Sequence, residues 1–224
     1  MDDNRVGYWL AKAVTRSFAM THKASALHAE AEEAIKAARR MREYLTPILE
    51  RMAQNDPNFI RRYRQSMLSA VVDAAIRISG ADMANIQLFD PASAALRIEA
   101  QRGFSQPFLE FFDCVHDGHA VCGTAFKTRA QIIVEDVAES PIFLGTPALE
   151  VVLDAGVRAV LSTPLVGSTG SILGILSTHR RRPWRPRRRD LHLLNLLARN
   201  AADWIEQRML FKPSPQAGPA AVAG

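Results

Sequence analysis

Cysteine is almost missing from this chain: Cys114 and Cys122 are the only two in 224 residues. That excludes a disulfide framework and makes free thiols in a reducing cytoplasm the default expectation. A secretory leader is not visible either, because the opening MDDNRVGYWLAKAV begins acidic and its short apolar patch is broken by Lys12. The longest charge-free run, Ala159 to Thr178, has the length of a membrane span. Pro164 and a Gly167-Ser168-Thr169-Gly170 turn interrupt it, so it reads as two strands joined by a hairpin. No membrane association is expected. No P-loop is present, since the only glycine-bearing candidate is that same hairpin turn. General basicity is also lacking. The net charge is +5, but seven arginines lie between Arg180 and Arg189, and without them the remainder is about −2.

What is present is a core. About half of the residues are apolar (48%), and the length accommodates one domain of about 150 residues plus an extension. Residues 1–60 read as a helical extension. From about Lys23 to Gln54, Leu27, Ala31, Ala34, Ala38, Met41, Leu45, Ile48 and Met52 alternate spacings of four and three, a heptad stripe. Pro47 is expected to kink that helix near residues 44–46. The stripe is read either as a dimerising coiled-coil arm or as a hairpin folded back on its own domain. Residues 61–211 read as the domain, and the Pro/Gly/Ala-rich residues 212–224 as a disordered tail.

Within the domain, Asp56-Pro57 signals a helix start and Gly80 its stop. Met83–Phe89 and Ala95–Gln101 are strand candidates around the turn cluster Asp90-Pro91-Ala92-Ser93. Leu96, Ile98 and Ala100 alternate with Arg97, Glu99 and Gln101, which predicts one buried and one wet face. Short helices are expected at Phe108–Phe112 and Ala148–Ala155. Strands follow at Val157–Val166 and Ser171–His179, and a last helix from about Arg187 to Leu210. This order predicts an α+β domain with a mostly antiparallel sheet and the first and last helices packed together on one face.

The segment from about Met67 to Met209 resembles a GAF domain. The resemblance is carried by Leu68–Ser79 with Gly80-Ala81-Asp82, Leu88-Phe89-Asp90 and Ala100-Gln101-Arg102-Gly103-Phe104. Cys122-Gly123-Thr124-Ala125, Val134-Glu135-Asp136-Val137 and Gly156-Val157-Arg158-Ala159-Val160 continue it. Ser162-Thr163-Pro164-Leu165, Gly174-Ile175-Leu176-Ser177-Thr178-His179 and Asp190-Leu191 complete the series. The resemblance implies a PAS-related, six-stranded antiparallel sheet with terminal helices on one face and a ligand pocket on the other. It does not name the ligand. The expectation is a cytoplasmic, non-catalytic bacterial sensor or interaction module, homodimeric through its helices, with an unknown small-molecule ligand, no assigned cofactor and a signalling protein as possible partner.

Pocket candidates are Phe112, Asp113, His116, His119, Cys122, Asp136, Ser162 and Thr163, with Cys122-Gly123-Thr124-Ala125 read as the turn of the pocket wall. Cys114, His116, His119 and Cys122 are metal-capable side chains within nine positions, but their spacing is not a familiar zinc pattern. His119 or His179 is a candidate axial imidazole for a haem. Val121-Cys122-Gly123-Thr124-Ala125 is similar to a segment of the free methionine-(R)-sulfoxide reductases, and Asp136 follows a strand as in those enzymes. They also need a nucleophilic cysteine after that strand, and residues 138–145 hold none. A third reading is a basic nucleic-acid-binding adaptor built on Arg180, Arg181, Arg182, Arg185, Arg187, Arg188 and Arg189, with Trp184 stacking on a base.

Overall fold

The computed structural model describes residues 59–116 and 120–209, with isolated helical positions 33, 36, 37, 40, 43 and 47. Those six positions are exposed, and Lys36 pairs with Glu33 at 2.8 Å. The heptad seam, residues 44–46, the Asp56-Pro57 start, His119 and the tail lie outside the described residues. The elements are α1 (Phe59–Ser79), β1 (Met83–Asp90), β2 (Ala95–Arg102), α2 (Gln106–Phe111) and α3 (Ala120–Thr128). They continue with β3 (Ile132–Val134), α4 (Pro147–Asp154), β4 (Ala159–Val166), β5 (Ile172–Arg180) and α5 (Arg188–Met209).

The strands form one sheet in the order β2-β1-β5-β4-β3, and every neighbouring pair is antiparallel. Side chains alternate across it. Ala84, Ile86, Leu88, Leu161, Leu165 and Leu176 face one layer, against Leu68, Val72 and Ala75 of α1 and Leu194, Ala198 and Ile205 of α5. Tyr63 of α1 and Trp204 of α5 meet there with ring centroids 5.9 Å apart, so the first and last helices share one face as expected. The opposite sheet face is covered by α2, α3 and α4, through Phe108, Val121, Val152 and neighbouring apolar side chains.

Three expectations need correction. Among the described residues the sheet has five strands, not six; Val115 adds only a two-hydrogen-bond bridge to Leu96 on the β2 edge. Residues 122–125 are not a turn but lie inside α3. Its short length and internal Gly123 hid the helical period, and Thr124 and Thr128 donate their hydroxyls to the carbonyls of Ala120 and Thr124. Finally, Leu96, Ile98 and Ala100 do not share a face. Ile98 pairs with Gln87 and Ala100 with Ile86, which leaves Glu99 as the extra residue of a β-bulge. The bulge resets the alternation, so Leu96 and Ile98 join the pocket layer while Ala100 joins the helix layer. Glu99 and Arg102 then reach α1, pairing with Arg64 at 2.9 Å and Asp73 at 3.0 Å.

The β4–β5 hairpin turn is fastened to α5. Glu206 accepts from the Ser168 amide at 2.9 Å, the Ser168 hydroxyl at 2.7 Å and the Thr169 hydroxyl. These bonds, Thr169 first, hold its carboxyl below the usual range. Gly167 makes room for it, since a Cβ there would lie 2.5 Å from Glu206 Oε1.

Gly174 permits the β1–β5 approach. A Cβ at this position would collide with the Gln87 carbonyl oxygen and sit 2.9 Å from Leu88 Cα. Both are backbone atoms, so no side-chain rotation relieves the clash. Gly174→Ala is expected to destabilise by about 1–3 kcal/mol, read as a lower urea midpoint at unchanged slope. An unchanged midpoint would show that the two strands are not this close.

Candidate functional site

Between the sheet and its α2–α4 cover lies a small cavity. Its floor is Asn85 and Gln87 of β1, Ser177 and His179 of β5, and Val160 and Ser162 of β4. Its walls include Phe108 of α2 and Phe112 just after it, Val121 and Cys122 of α3, Phe143 from the loop before α4, and Val152 of α4. The register explains the floor. Asn85 lies opposite Ser177, and Ser177 lies opposite Ser162, so a polar row crosses three strands. His179 stands two residues further along β5, between Met83 and Val160. The cavity volume is about 20 Å³, room for about one water molecule.

Most of the floor's polar groups are paired internally. Ser162 and Ser177 share a hydroxyl bond of 2.8 Å, and Gln87 Nε2 donates to the Phe112 carbonyl at 3.3 Å. Two atoms are not paired among the described residues: Asn85 Oδ1 and His179 Nδ1. Both residues are almost fully buried, 3% and 6% exposed. An orphaned buried polar group costs about 1–3 kcal/mol, so the pair opposes folding by an appreciable share of a total stability of about 5–15 kcal/mol. His179 is wedged edge-on against Phe104 and Phe108, with centroids 4.9 and 5.9 Å away. Burial pushes its pKa down to about 3, so the imidazole is neutral.

Of the residues expected in the pocket, Phe112, Cys122 and Ser162 line this cavity. Thr163 does not. It pairs with Leu176 on the helix face, where its hydroxyl accepts from Gln131 Nε2 at 3.2 Å and the same amide donates to the Leu191 carbonyl. Asp113 is exposed on the β2 side, paired with Arg97 at 3.2 Å. His116 is exposed beside Cys114, with Sγ and Nε2 4.0 Å apart. Asp136 lies beyond the β3 end, where Arg158 grips it through two bonds of 3.1 and 2.6 Å. It borders an open groove with Glu135, Trp184 and Arg185 rather than the cavity. Asn85, Gln87 and Ser177 are not among the expected pocket residues, and His179 is expected only as an axial imidazole. Their signal was available: alternating polar residues on β1 and β5, none of them charged, where a solvated strand face would carry Lys or Glu.

The cysteine chemistry is constrained by burial. Desolvation raises the Cys122 thiol to about 11, which leaves negligible thiolate at neutral pH. Cys114 is exposed while Cys122 is buried. No group of three or more His, Cys, Asp and Glu residues suited to a metal occurs among the described residues. His179 lines the cavity, but its enclosed volume of about 20 Å³ holds no haem unless the walls part widely.

The arginine run is partly consumed by the fold. Arg180 stacks over the Trp184 ring at 4.3 Å and donates to the Ser79 carbonyl. Arg185 pairs with Glu135 at 3.2 Å, and Arg189 with Asp190 at 3.5 Å. The Arg181 amide donates to Asp82, while Arg182, Arg187 and Arg188 are exposed. One face of Trp184 is thus already covered by a guanidinium. No helix among the described residues is long and apolar enough to cross a membrane.

The Asp136–Arg158 pair has a pH signature. Hydrogen bonding from Arg158 is the leading cause that lowers the Asp136 pKa below its ordinary 3.8, and the same bond raises that of Arg158. Since the folded value is the lower one, the stabilisation is complete above pH 3.8 and is lost as pH falls through the folded value. Asp136→Asn should therefore lower the melting temperature at pH 7, with the deficit shrinking as both proteins are acidified below pH 3.8. A deficit that persists unchanged in acid would assign the effect to packing instead.

A family model described as GAF domain matches residues 63–206. A solved domain classed with a two-component sensor histidine kinase from Sinorhizobium meliloti 1021 is 26% identical, with 65% of this chain and 92% of that chain covered and a TM-score of 0.54. Free methionine-R-sulfoxide reductase from Neisseria meningitidis, solved with its substrate, is 18% identical over 65% of this chain and 81% of its own, TM-score 0.52. The PixJ GAF domain of Thermosynechococcus elongatus, in a blue-light absorbing form, is 17% identical over 67% and 93%, TM-score 0.52. No curated protein matches the chain. The family match spans more than half of the sequence and agrees with the sheet and helix arrangement above: the chain belongs to the GAF domain family.

Proposed function

We propose that this protein is a non-catalytic small-molecule sensor module of bacterial signal transduction, in which the cavity on one sheet face is coupled to the terminal helices on the other. The observation that carries the reading is the cavity floor, with Asn85 Oδ1 and His179 Nδ1 buried and unpartnered among the described residues. Other buried orphan atoms, such as Thr178 Oγ1 and Trp204 Nε1, lie outside it, but these two share one cavity, where a bound molecule can offset their cost. The coupling has a material basis: β1, β5 and β4 hold the cavity on one side and α1 and α5 on the other. A ligand that binds two helix arrangements with different affinity shifts their populations. In this reading residues 61–211 form the sensing domain, and the heptad stripe of residues 1–60 supports a homodimer that presents the change to a signalling partner.

A thiol-dependent reductase is disfavoured, despite the likeness to the Neisseria enzyme, because Cys122 is buried with a raised pKa and residues 138–145 supply no further thiol. Native mass spectrometry of freshly purified protein tests the proposal. The expected result is a dimer that carries a non-covalent small molecule, together with no turnover of free methionine sulfoxide in the presence of a thiol donor. A bare monomer, or multiple turnovers of the sulfoxide, would contradict it.

A further inference from the structure

We infer that the cavity selects an uncharged ligand whose amide- or lactam-like group is read by Asn85 and His179. This rests on the ligand-binding reading above and narrows it to a chemical class. The first observation is an absence of charge: the described lining residues include no Asp, Glu, Lys or Arg. Burial adds none, because it holds the His179 imidazole neutral. A carboxylate, phosphate or ammonium entering such a space would lose its hydration and find no counter-ion, which is the costliest kind of burial.

The second observation is which valences remain open. Gln87 is engaged with the Phe112 carbonyl, and Ser162 and Ser177 with each other. What is left is a carbonyl acceptor, Asn85 Oδ1, and a ring nitrogen, His179 Nδ1. Asn85 pairs with Ser177 across the β1–β5 ladder, so His179 is its diagonal neighbour, about 7–8 Å away. With His179 as its Nδ1–H tautomer, one small group that offers an N–H to Asn85 Oδ1 and an acceptor to His179 Nδ1 spans that interval. Phe108, Phe112 and Phe143 complete the walls, which suits a flat apolar body. At about 20 Å³ the enclosed space holds about one water. A ring-sized ligand displaces that occupant and parts the walls, so binding of simple fragments is expected in the millimolar range.

The test is a two-dimensional NMR titration of the full chain with neutral probes (nicotinamide, 2-pyridone and pyrrolidin-2-one) against charged ones (nicotinate and free methionine sulfoxide). At least one neutral probe should shift the amides of Asn85, Gln87, Ser177 and His179. It should bind at least about tenfold more tightly than nicotinate, as expected of a site that leaves a charge unpaired. Asn85→Leu should weaken that probe by about tenfold or more, without lowering the melting temperature, because the deleted acceptor has no partner to lose. His179→Phe, which keeps the ring contacts, should weaken it likewise and serves if the first variant does not fold. If a charged probe binds the same residues as tightly, ligand binding stands and the uncharged class is overturned. If both variants bind the neutral probe unchanged, the assigned readers are overturned. If neither class perturbs these residues, the inference and the sensor reading fall together.

Discussion

Everything in this domain depends on β5 lying between β1 and β4 in antiparallel register. That placement makes β5 a central strand with hydrogen bonds on both sides, and it aligns the alternation of three strands at once. On one face the aligned positions are mostly aliphatic, with Thr163 and Thr178 among them, and α1 and α5 close over them. On the other they are Asn85, Gln87, Ser162, Ser177 and His179 mixed with Met83, Val160 and Ile175. A register slip of one residue would exchange the two sets and destroy both layers. The missing side chain at Gly174 is part of this constraint, because it lets β5 approach the β1 backbone.

The two faces have different energetic characters. The helix layer is mainly apolar and supplies stability, although Thr178 Oγ1 and Trp204 Nε1 are buried there without a partner among the described residues. The pocket layer accepts polar groups that its own protein partners only partly satisfy, and two of them not at all among the described residues. Stability is therefore spent in the cavity and recovered elsewhere, the pattern expected where a site is kept for binding rather than for packing. The Glu206 clasp on the hairpin turn joins the layers at one end, so that β4 and β5 cannot move without engaging α5.

Much of the fold was legible because it was written in periodicities. The Val, Ile and Leu runs of β4 and β5, the break at residues 167–170 and the apolar stripe of α5 each follow from local pattern. The α3 helix was not legible, being nine residues long with Gly123 and two threonines inside. Nor was the Glu99 bulge, since an extra residue shows only when a partner strand is laid beside it. The pocket was half legible. Cys122, Phe112 and Ser162 stood out by type and place, whereas Asn85 and Gln87 are polar residues of a strand candidate that nothing local marks as buried. Only the cover of α2–α4, which packs from distant sequence, turns their side of the strand inward. Asp136, Asp113 and Thr163 illustrate the converse: residues that resemble site chemistry in sequence but are occupied by Arg158, Arg97 and Gln131.

The central claim is that the sheet's second face is a binding floor and not a flawed core. A crystal structure at a resolution that reveals ordered water tests this most directly. The account predicts density in the cavity, either water bonded to Asn85 Oδ1 and to His179 Nδ1 separately or a small molecule that reaches both. A dry cavity, with both side chains turned to bond neighbouring protein groups, would contradict it.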